Sequence, residues 1–308
     1  MPPKDFYFRF GKYLKIIFYF WVKERGGRRK YPNVSTNSKT TPDTNMNNEK
    51  NGICRLCLQQ KELRHSHILP EFMYQNLYDP TSKRFYSLNV DLDNSDNSKR
   101  KIEQKGIREY LLCGDCEVKL SRHENYAAET IYAKNLGNKT YIVKANQTPD
   151  LQYFTYEYAG FSYSDFKLFQ LSLFWRIVIS KSFNTPDIDS SIVEKLRVAI
   201  DSQDPLDYDD FGCLLQVIKY KKGQIAKGFI LDPFLTKNDT ATVLNILIDG
   251  FMYSFYLNSK DLPDDKKEFF IRKDGTMVIL GRVIFQDKGL FERIKAAYDF
   301  FKKTSNKQ

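Results

Sequence analysis

The chain has 308 residues, of which 42% are hydrophobic and 28% are charged. These proportions are typical of globular proteins and exclude a chain that is disordered throughout. The net charge is +10, but residues 1–45 alone carry +7, with ten Lys or Arg against three Asp or Glu. Because the remainder is nearly neutral, the composition does not predict a basic surface over the whole protein for binding nucleic acid.

The first 51 residues divide into two segments of different composition. Residues 1–30 are basic and aromatic, and their apolar run Ile16–Val22 is far shorter than the ~20 residues of a membrane-spanning helix. The basic sequence after this run has no small-residue cleavage site, so we do not expect a signal peptide. Residues 31–51 are rich in Asn, Thr, Ser and Pro, which predicts a disordered linker. The alternative for residues 6–22 is an aromatic, cationic helix on a membrane surface.

The next segment, residues 52–158, contains four of the five cysteines as two Cys-x-x-Cys pairs, Cys54 with Cys57 and Cys113 with Cys116. Each pair places two thiolates on a tight turn, and two such pairs complete the four-sulfur site that is typical of structural zinc. Paired cysteines of this kind indicate metal binding in a reducing compartment. With no transmembrane segment expected, we predict a cytoplasmic protein.

The predicted elements after the first cysteine pair follow in chain order. The polar stretch 79–105 indicates an exposed insertion. Helical spacing of apolar residues then predicts a helix over 117–136, and a second helix, from an N-cap at Ser164 to Ser180, is apolar nearly all round and should be buried. A third helix is expected to end at Ser202, and the last over 289–303. Strands are predicted at 213–220, 226–231, 243–248, 252–257, 269–272 and 277–285.

These patterns predict an α+β protein of two folded parts. The first is a zinc-knuckle module at 52–158, and the second is a separate α+β domain at 159–308 whose role the sequence does not indicate. The second part contains no glycine-rich phosphate loop and no catalytic serine signature. The candidate residues for chemistry are therefore those around the cysteines.

Between the cysteine pairs lies the sequence His65-Ser66-His67-Ile-Leu-Pro, and the second pair occurs as Leu-Leu-Cys-x-x-Cys at the start of a predicted helix. Over about residues 52–130 this arrangement resembles the zinc-stapled HNH (ββα-metal) endonuclease motif. The resemblance covers less than a third of the chain, and residues 159–308 add nothing to it.

The resemblance implies a metal-dependent endonuclease that hydrolyses phosphodiester bonds of nucleic acid, with DNA as the favoured substrate. In that family a strand histidine is the general base, and one divalent ion stabilises the leaving oxygen. The matching positions make His67 the base and Glu117 the helix-borne ligand of Mg²⁺ or Mn²⁺. The ligand position before the histidine falls on Ser66.

This chain departs from the family pattern at three positions. The family usually has Asp or His where Ser66 stands and Asn or His where Glu117 stands, and its middle Asn would fall near Arg108. His65 lies two residues before His67, so on a strand it faces the same side and is a candidate for the missing metal ligand. The alternatives are that His67 is structural and that Glu117 is an acidic residue favoured by the helix dipole.

Three basic residues, Arg108, Lys119 and Arg122, flank these positions and are candidates for contacts with nucleic-acid phosphates. The alternative is that they are solvated surface charges. A second hypothesis therefore stands beside the endonuclease: a catalytically inactive zinc-binding scaffold that binds nucleic acid or protein, with a protein partner on the C-terminal domain.

Overall fold

The computed structural model describes residues 7–9, 13–18, 50–91, 98–132, 141–147, 153–220, 223–237, 239–284 and 288–305. These residues form a mixed α+β structure, which at this level confirms the predicted fold class. The strands are β1 (Tyr7–Arg9), β2 (Tyr13–Phe18), β3 (Asn51–Ile53), β4 (Gln60–His67), β5 (Phe85–Asp91), β6 (Lys99–Glu103), β7 (Arg108–Cys113), β8 (Tyr141–Gln147), β9 (Tyr153–Ala159), β10 (Cys213–Lys219), β11 (Phe229–Lys237), β12 (Thr242–Ile248), β13 (Phe251–Tyr256) and β14 (Met277–Val283). The α-helices are α1 (Gly114–Ala127), α2 (Tyr163–Ile179), α3 (Ser190–Ser202), α4 (Asp264–Lys267) and α5 (Lys288–Ser305).

Most of the strands belong to one large sheet with the order β6-β5-β2-β11-β12-β13-β10-β14-β9-β8, and β1 also pairs with β11. Within this sheet β10 and β14 are parallel, and the other pairs are antiparallel. The second sheet is small and has the order β3-β4-β7. Cys113 ends β7 and is also the N-cap of α1, so strand and helix join without a loop.

Two segments that the sequence places outside the folded body contribute strands to the large sheet. β2 pairs with β5 and with β11, although residues 1–30 lie outside the two folded parts that the sequence predicts. The other residues of that segment, except 7–9, and residues 31–49 of the expected linker lie outside the described residues. The expected exposed insertion at 79–105 contains β5 and β6, and Phe85 and Leu88 are buried. The polar composition of residues 79–105 predicted a loop, but these residues form strands because β5 pairs with both β2 and β6.

Most helices follow the sequence pattern, but α1 begins three residues before the predicted 117–136 segment and ends at Ala127. α2 is buried over almost its whole length, as its apolar sequence predicts, and begins at Tyr163. Its N-cap is Ser162 and not Ser164, because the Ser162 hydroxyl accepts a hydrogen bond from the backbone N–H of Asp165. α3 is capped by Asp189 in the same way. Among the described helices, none is long and apolar enough to cross a membrane.

The predicted strand at 269–272 does not form. Phe270 and Ile271 are buried in a loop that ends in a tight turn, in which the backbone N–H of Arg272 donates to the carbonyl of Thr276. Gly275 in this turn has a φ of +80°, and a Cβ there would lie 2.4 Å from the carbonyl oxygen of Phe161. The turn leads directly into β14, which pairs with β9 and β10 instead of with the preceding segment.

One hydrophobic core extends through both halves of the chain. Cys54 and Leu120 of the cysteine region belong to the same buried cluster as Phe169 of α2 and Phe255 of β13. α1 packs directly on α2. Residues 52–158 and residues 159–308 therefore share one core, so a separate module at 52–158 is not confirmed.

Candidate functional site

The four paired cysteines converge on one point at the junction of the small sheet and α1. Their sulfur atoms all lie within 4.8 Å of one another, and the Sγ atoms of Cys57 and Cys113 are 3.9 Å apart. Four sulfurs at the usual 2.3 Å from a tetrahedral zinc ion are separated by about 3.8 Å. Cys54, Cys57, Cys113 and Cys116 are therefore arranged so that they could hold a metal ion such as zinc, as their spacing predicted.

Backbone geometry builds the first cysteine turn. The N–H of Leu58 donates to the carbonyl of Cys54, and Leu58 takes the left-handed conformation with a φ of 59°. The turn is held from outside by Arg197 of α3, whose Nη1 donates to the carbonyl of Leu56 at 2.7 Å. The second pair spans the strand-to-helix junction, so its geometry follows from the start of α1.

The thiols of this centre differ in acidity. Burial acts to raise the pKa of Cys54, but backbone N–H groups, including that of Cys113 at 3.3 Å from Cys54 Sγ, bring it down to about 7. Burial and the neighbouring thiols raise the pKa of Cys116. A bound cation favours the thiolate form of every ligand, so metal binding at this centre releases protons.

A second polar cluster lies at the other end of β4, around His67. His67 Nε2 is 2.7 Å from Glu71 Oε2, and Arg108 Nη2 is 3.6 Å from the same carboxylate oxygen. The other Glu71 oxygen accepts a hydrogen bond from the Tyr78 hydroxyl at 2.6 Å. His67 and Arg108 face each other in the β4–β7 register, and each side chain is 25% exposed. The cluster is therefore reachable from solvent.

Burial and the positive charge of Arg108 lower the pKa of His67, although Glu71 opposes this shift. The imidazole is consequently neutral at pH 7 and available as a base. A carboxylate at Nε2 favours the tautomer in which Nε2 carries the proton, which leaves Nδ1 as the basic nitrogen.

Glu117 of α1 lies beside Ser66, which alternates with His67 along β4 and so faces the other side of the strand. Burial raises the pKa of Glu117, while the Ser66 hydroxyl and the charges of Arg176 and Arg108 act in the other direction. Its Oε1 is buried without a hydrogen-bond partner among the described residues. Ser66 itself is buried, and its hydroxyl accepts the backbone N–H of Leu112.

Arg176 of α2 joins the two sides of the site. Its side chain is 3% exposed, and it forms an ion pair with Glu124 of α1 at 2.6 Å. Its Nη1 also donates to the backbone carbonyl of His67 at 2.9 Å. Arg176 therefore fixes the end of β4 against α1, and it brings a permanent positive charge close to Glu117.

The described residues around Glu117 do not form a converging set of three ligands for Mg²⁺ or Mn²⁺. Among the described residues, the four cysteines are the one group of three or more Cys, His, Asp or Glu side chains with converging ligand atoms. Two guanidinium groups, those of Arg108 and Arg176, act electrostatically on the Glu117 carboxylate. These groups would oppose a divalent cation beside Glu117, although the carboxylates of Glu71 and Glu124 offset part of their charge.

The remaining predicted site residues have other neighbours. His65 is exposed and stacks on Tyr110, with 5.0 Å between the ring centroids. Lys119 Nζ lies 2.7 Å from a carboxylate oxygen of Asp201 in α3, and Arg122 Nε lies 3.4 Å from Asp165 in α2. The structure thus brings His67 and Arg108 together at Glu71, whereas the contacts of His65, Lys119 and Arg122 are with other residues.

Four further residues of the site were not predicted from the sequence: Glu71, Tyr78, Glu124 and Arg176. Glu71 follows His67 by four residues across a proline, and a carboxylate at that distance from a candidate base is a signal that local spacing offered. Arg176 sits within an apolar helix sequence, and nothing local indicates that it reaches a strand 109 residues earlier. No protein-family model, curated protein or solved structure matches the chain.

Proposed function

We propose that this chain cleaves phosphodiester bonds of nucleic acid at the cluster around His67. The observation that carries the proposal is the contact of His67 Nε2 with Glu71 Oε2 at 2.7 Å, with Arg108 Nη2 3.6 Å from the same oxygen. A neutral histidine oriented by a carboxylate is a general base, and an adjacent arginine is a phosphate-binding group. The partial exposure of His67 and Arg108 supports access by a polymer.

The order of elements also supports this function. β4 ends at His67, β7 runs antiparallel to it, and α1 begins within the second cysteine pair. Two strands and a helix joined by a four-sulfur centre are the arrangement that the HNH-like resemblance implies. We propose that the ion is zinc and that it is structural, because a four-cysteine set leaves no open coordination position for a substrate.

In the proposed mechanism His67 Nδ1 accepts the proton of the attacking hydroxyl group. Glu71 holds the imidazole in the required tautomer, and the Tyr78 hydroxyl fixes Glu71 in turn. Arg108 neutralises charge on the phosphate as it develops. Arg176 is a positioning residue, because its hydrogen bond is to the His67 backbone and not to the imidazole.

A cleavage assay with two histidine variants tests the proposal. The full chain is incubated with single- and double-stranded DNA and RNA, in buffer with Mg²⁺, with Mn²⁺ and without divalent ions. His67→Ala should reduce the rate by roughly 10²–10⁴-fold, the usual contribution of a general base. His65→Ala, in the same strand, removes an exposed ring stacked on Tyr110 and should change the rate less than about threefold. Wild-type protein that cleaves none of these substrates, or equal losses in the two variants, would contradict the proposal.

A protein-binding scaffold is the second candidate function. The observation in its favour is that Lys119 and Arg122, two of the three basic residues expected to contact phosphates, form ion pairs with Asp201 and Asp165 of the same chain. Fluorescence anisotropy with labelled RNA and DNA at increasing salt separates the candidates. A scaffold without nucleic-acid function should show neither cleavage nor salt-dependent binding, whereas the proposed enzyme should bind more weakly as salt rises.

A further inference from the structure

The charge distribution around His67 restricts the class of substrate. The positive charges that act on this site belong to Arg108, on the strand opposite His67, and to Arg176, which contacts the His67 backbone. Each arginine lies beside a carboxylate: Arg108 Nη2 is 3.6 Å from Glu71 Oε2, and Arg176 Nη2 is 2.6 Å from Glu124 Oε1. Outside the four cysteines, the described residues contain no group of three or more Cys, His, Asp or Glu side chains with converging ligand atoms, so the His67 cluster offers a phosphate an arginine and offers no such ligand set to a divalent ion.

Arginine and a divalent ion do not supply the same chemistry. Both stabilise negative charge on a phosphate in the transition state. Only the ion also lowers the pKa of a bound water molecule so that hydroxide attacks at neutral pH. A site built from His67, Glu71 and Arg108 consequently lacks a means of generating a strong external nucleophile, and a general base contributes only about 10²–10⁴-fold.

A substrate that contains its own nucleophile does not need an activated water molecule. A hydroxyl group within the substrate attacks with an effective molarity of roughly 10⁵–10⁸ M when it is correctly oriented. RNA has such a group, the 2′-hydroxyl beside each phosphodiester bond, and DNA does not. The arginine-based site is therefore suited to RNA.

We propose that the His67 cluster cleaves RNA without a divalent ion, using the adjacent 2′-hydroxyl as the nucleophile. The inference rests on the proposed function and specifies its substrate. The 2′-oxygen forms a bond to phosphorus, and its proton passes to His67 Nδ1. The bond from phosphorus to the 5′-oxygen breaks, and the departing oxygen takes a proton from water. The products are a 2′,3′-cyclic phosphate and a free 5′-hydroxyl, and His67 returns its proton to solvent.

The test uses the full chain with its zinc, in buffer passed over a chelating resin so that the structural ion stays bound while free divalent ions are removed. One substrate is a random-sequence RNA pool, and the other is the same pool synthesised with 2′-O-methyl nucleotides. A random pool avoids any assumption about sequence preference. Metal analysis before and after the assay establishes that the zinc content is unchanged.

Cleavage of the RNA pool to fragments ending in 2′,3′-cyclic phosphate, identified by mass spectrometry, is the expected result. The 2′-O-methyl pool should be cleaved at least 10³-fold more slowly, and added Mg²⁺ should change the RNA rate less than threefold. Arg108→Ala should reduce cleavage at least 10-fold. Arg64→Ala removes an arginine that is 60% exposed on the neighbouring strand, and it should leave the rate within twofold.

Other outcomes separate the inference from the function on which it rests. Cleavage of DNA or of the 2′-O-methyl pool, or an absolute requirement for Mg²⁺ or Mn²⁺, would overturn the 2′-hydroxyl mechanism and leave phosphodiester cleavage standing. RNA fragments with 5′-phosphate ends would also overturn the 2′-hydroxyl mechanism while leaving phosphodiester cleavage standing. Absence of cleavage of RNA and DNA under all metal conditions would overturn both.

Discussion

Replacement of Arg176 by Met should destabilise the protein by several kcal/mol. The guanidinium is 3% exposed, lies 2.6 Å from the Glu124 carboxylate and donates to the His67 carbonyl at 2.9 Å. Breaking a buried ion pair by removing one partner costs about 3–5 kcal/mol. Because Glu124 is 21% exposed, water solvates part of the remaining charge, so the lower end of this range applies. The unpaired carbonyl adds about 1 kcal/mol.

A double-mutant cycle isolates this pair. Arg176→Met, Glu124→Gln and the double variant are unfolded in urea and followed by circular dichroism. In the Glu124→Gln background, Arg176→Met should cost about 1–3 kcal/mol less than in the wild type, because no carboxylate is left unpaired. Lys273→Met, which removes an exposed ion pair with Asp207, is the control and should cost less than about 1 kcal/mol. A coupling energy below about 0.5 kcal/mol would refute the reasoning, since it would mean that the two residues act independently.

Three further predictions concern other parts of the chain. Metal analysis of purified protein should give one zinc ion per chain, and Cys116→Ser should abolish this stoichiometric binding. A wild-type protein that is folded without zinc would contradict the prediction. Deletion of residues 1–45 removes β2, which pairs at six positions with β5 and at three with β11. The melting temperature should therefore fall, and light scattering should show aggregation through the two newly exposed sheet edges. An unchanged melting temperature would show that these residues do not stabilise the fold. Burial lowers the pKa of Lys167 to about 8, whereas the unfolded chain keeps the ordinary value of 10.5. Between pH 8 and pH 10.5 the unfolded chain therefore binds more protons than the folded chain, so stability rises with pH. The free energy of unfolding in urea, wild type minus Lys167→Met, should rise by about 2–3 kcal/mol from pH 8 to pH 10. A difference that stays constant or falls would contradict this prediction.

Elements stabilised by local pattern were predictable from the sequence. The apolar helix α2, the capped helix α3 and most strands of the C-terminal half lie within a few residues of their predicted bounds. The cysteine cluster was predictable for the same reason, because each pair is a local turn and four thiols at such spacing have few other uses.

Elements stabilised by distant partners were not predictable. β2 has an unremarkable aromatic and basic sequence, and its partner β11 lies more than 200 residues away. The polar sequence around β5 indicates a loop, because its strand partners β2 and β6 cannot be identified from the local sequence. The pairing of Arg176 with Glu124 depends likewise on how α2 crosses α1, which no local periodicity encodes.

Different residues hold the first turn and the later turns of α1, which limits how much of the helix the metal centre positions. The cysteines fix its first turn, whereas Glu124 is held by Arg176 and the buried His123 lies 3.1 Å from Asp165 and 2.8 Å from Gln203. Because these partners belong to α2 and the end of α3, the later turns of the helix are held by the C-terminal half. The His67 cluster takes its geometry from this second set of contacts through the hydrogen bond from Arg176. Residues 159–308, which contribute nothing to the sequence resemblance, therefore supply the framework on which the proposed chemistry depends.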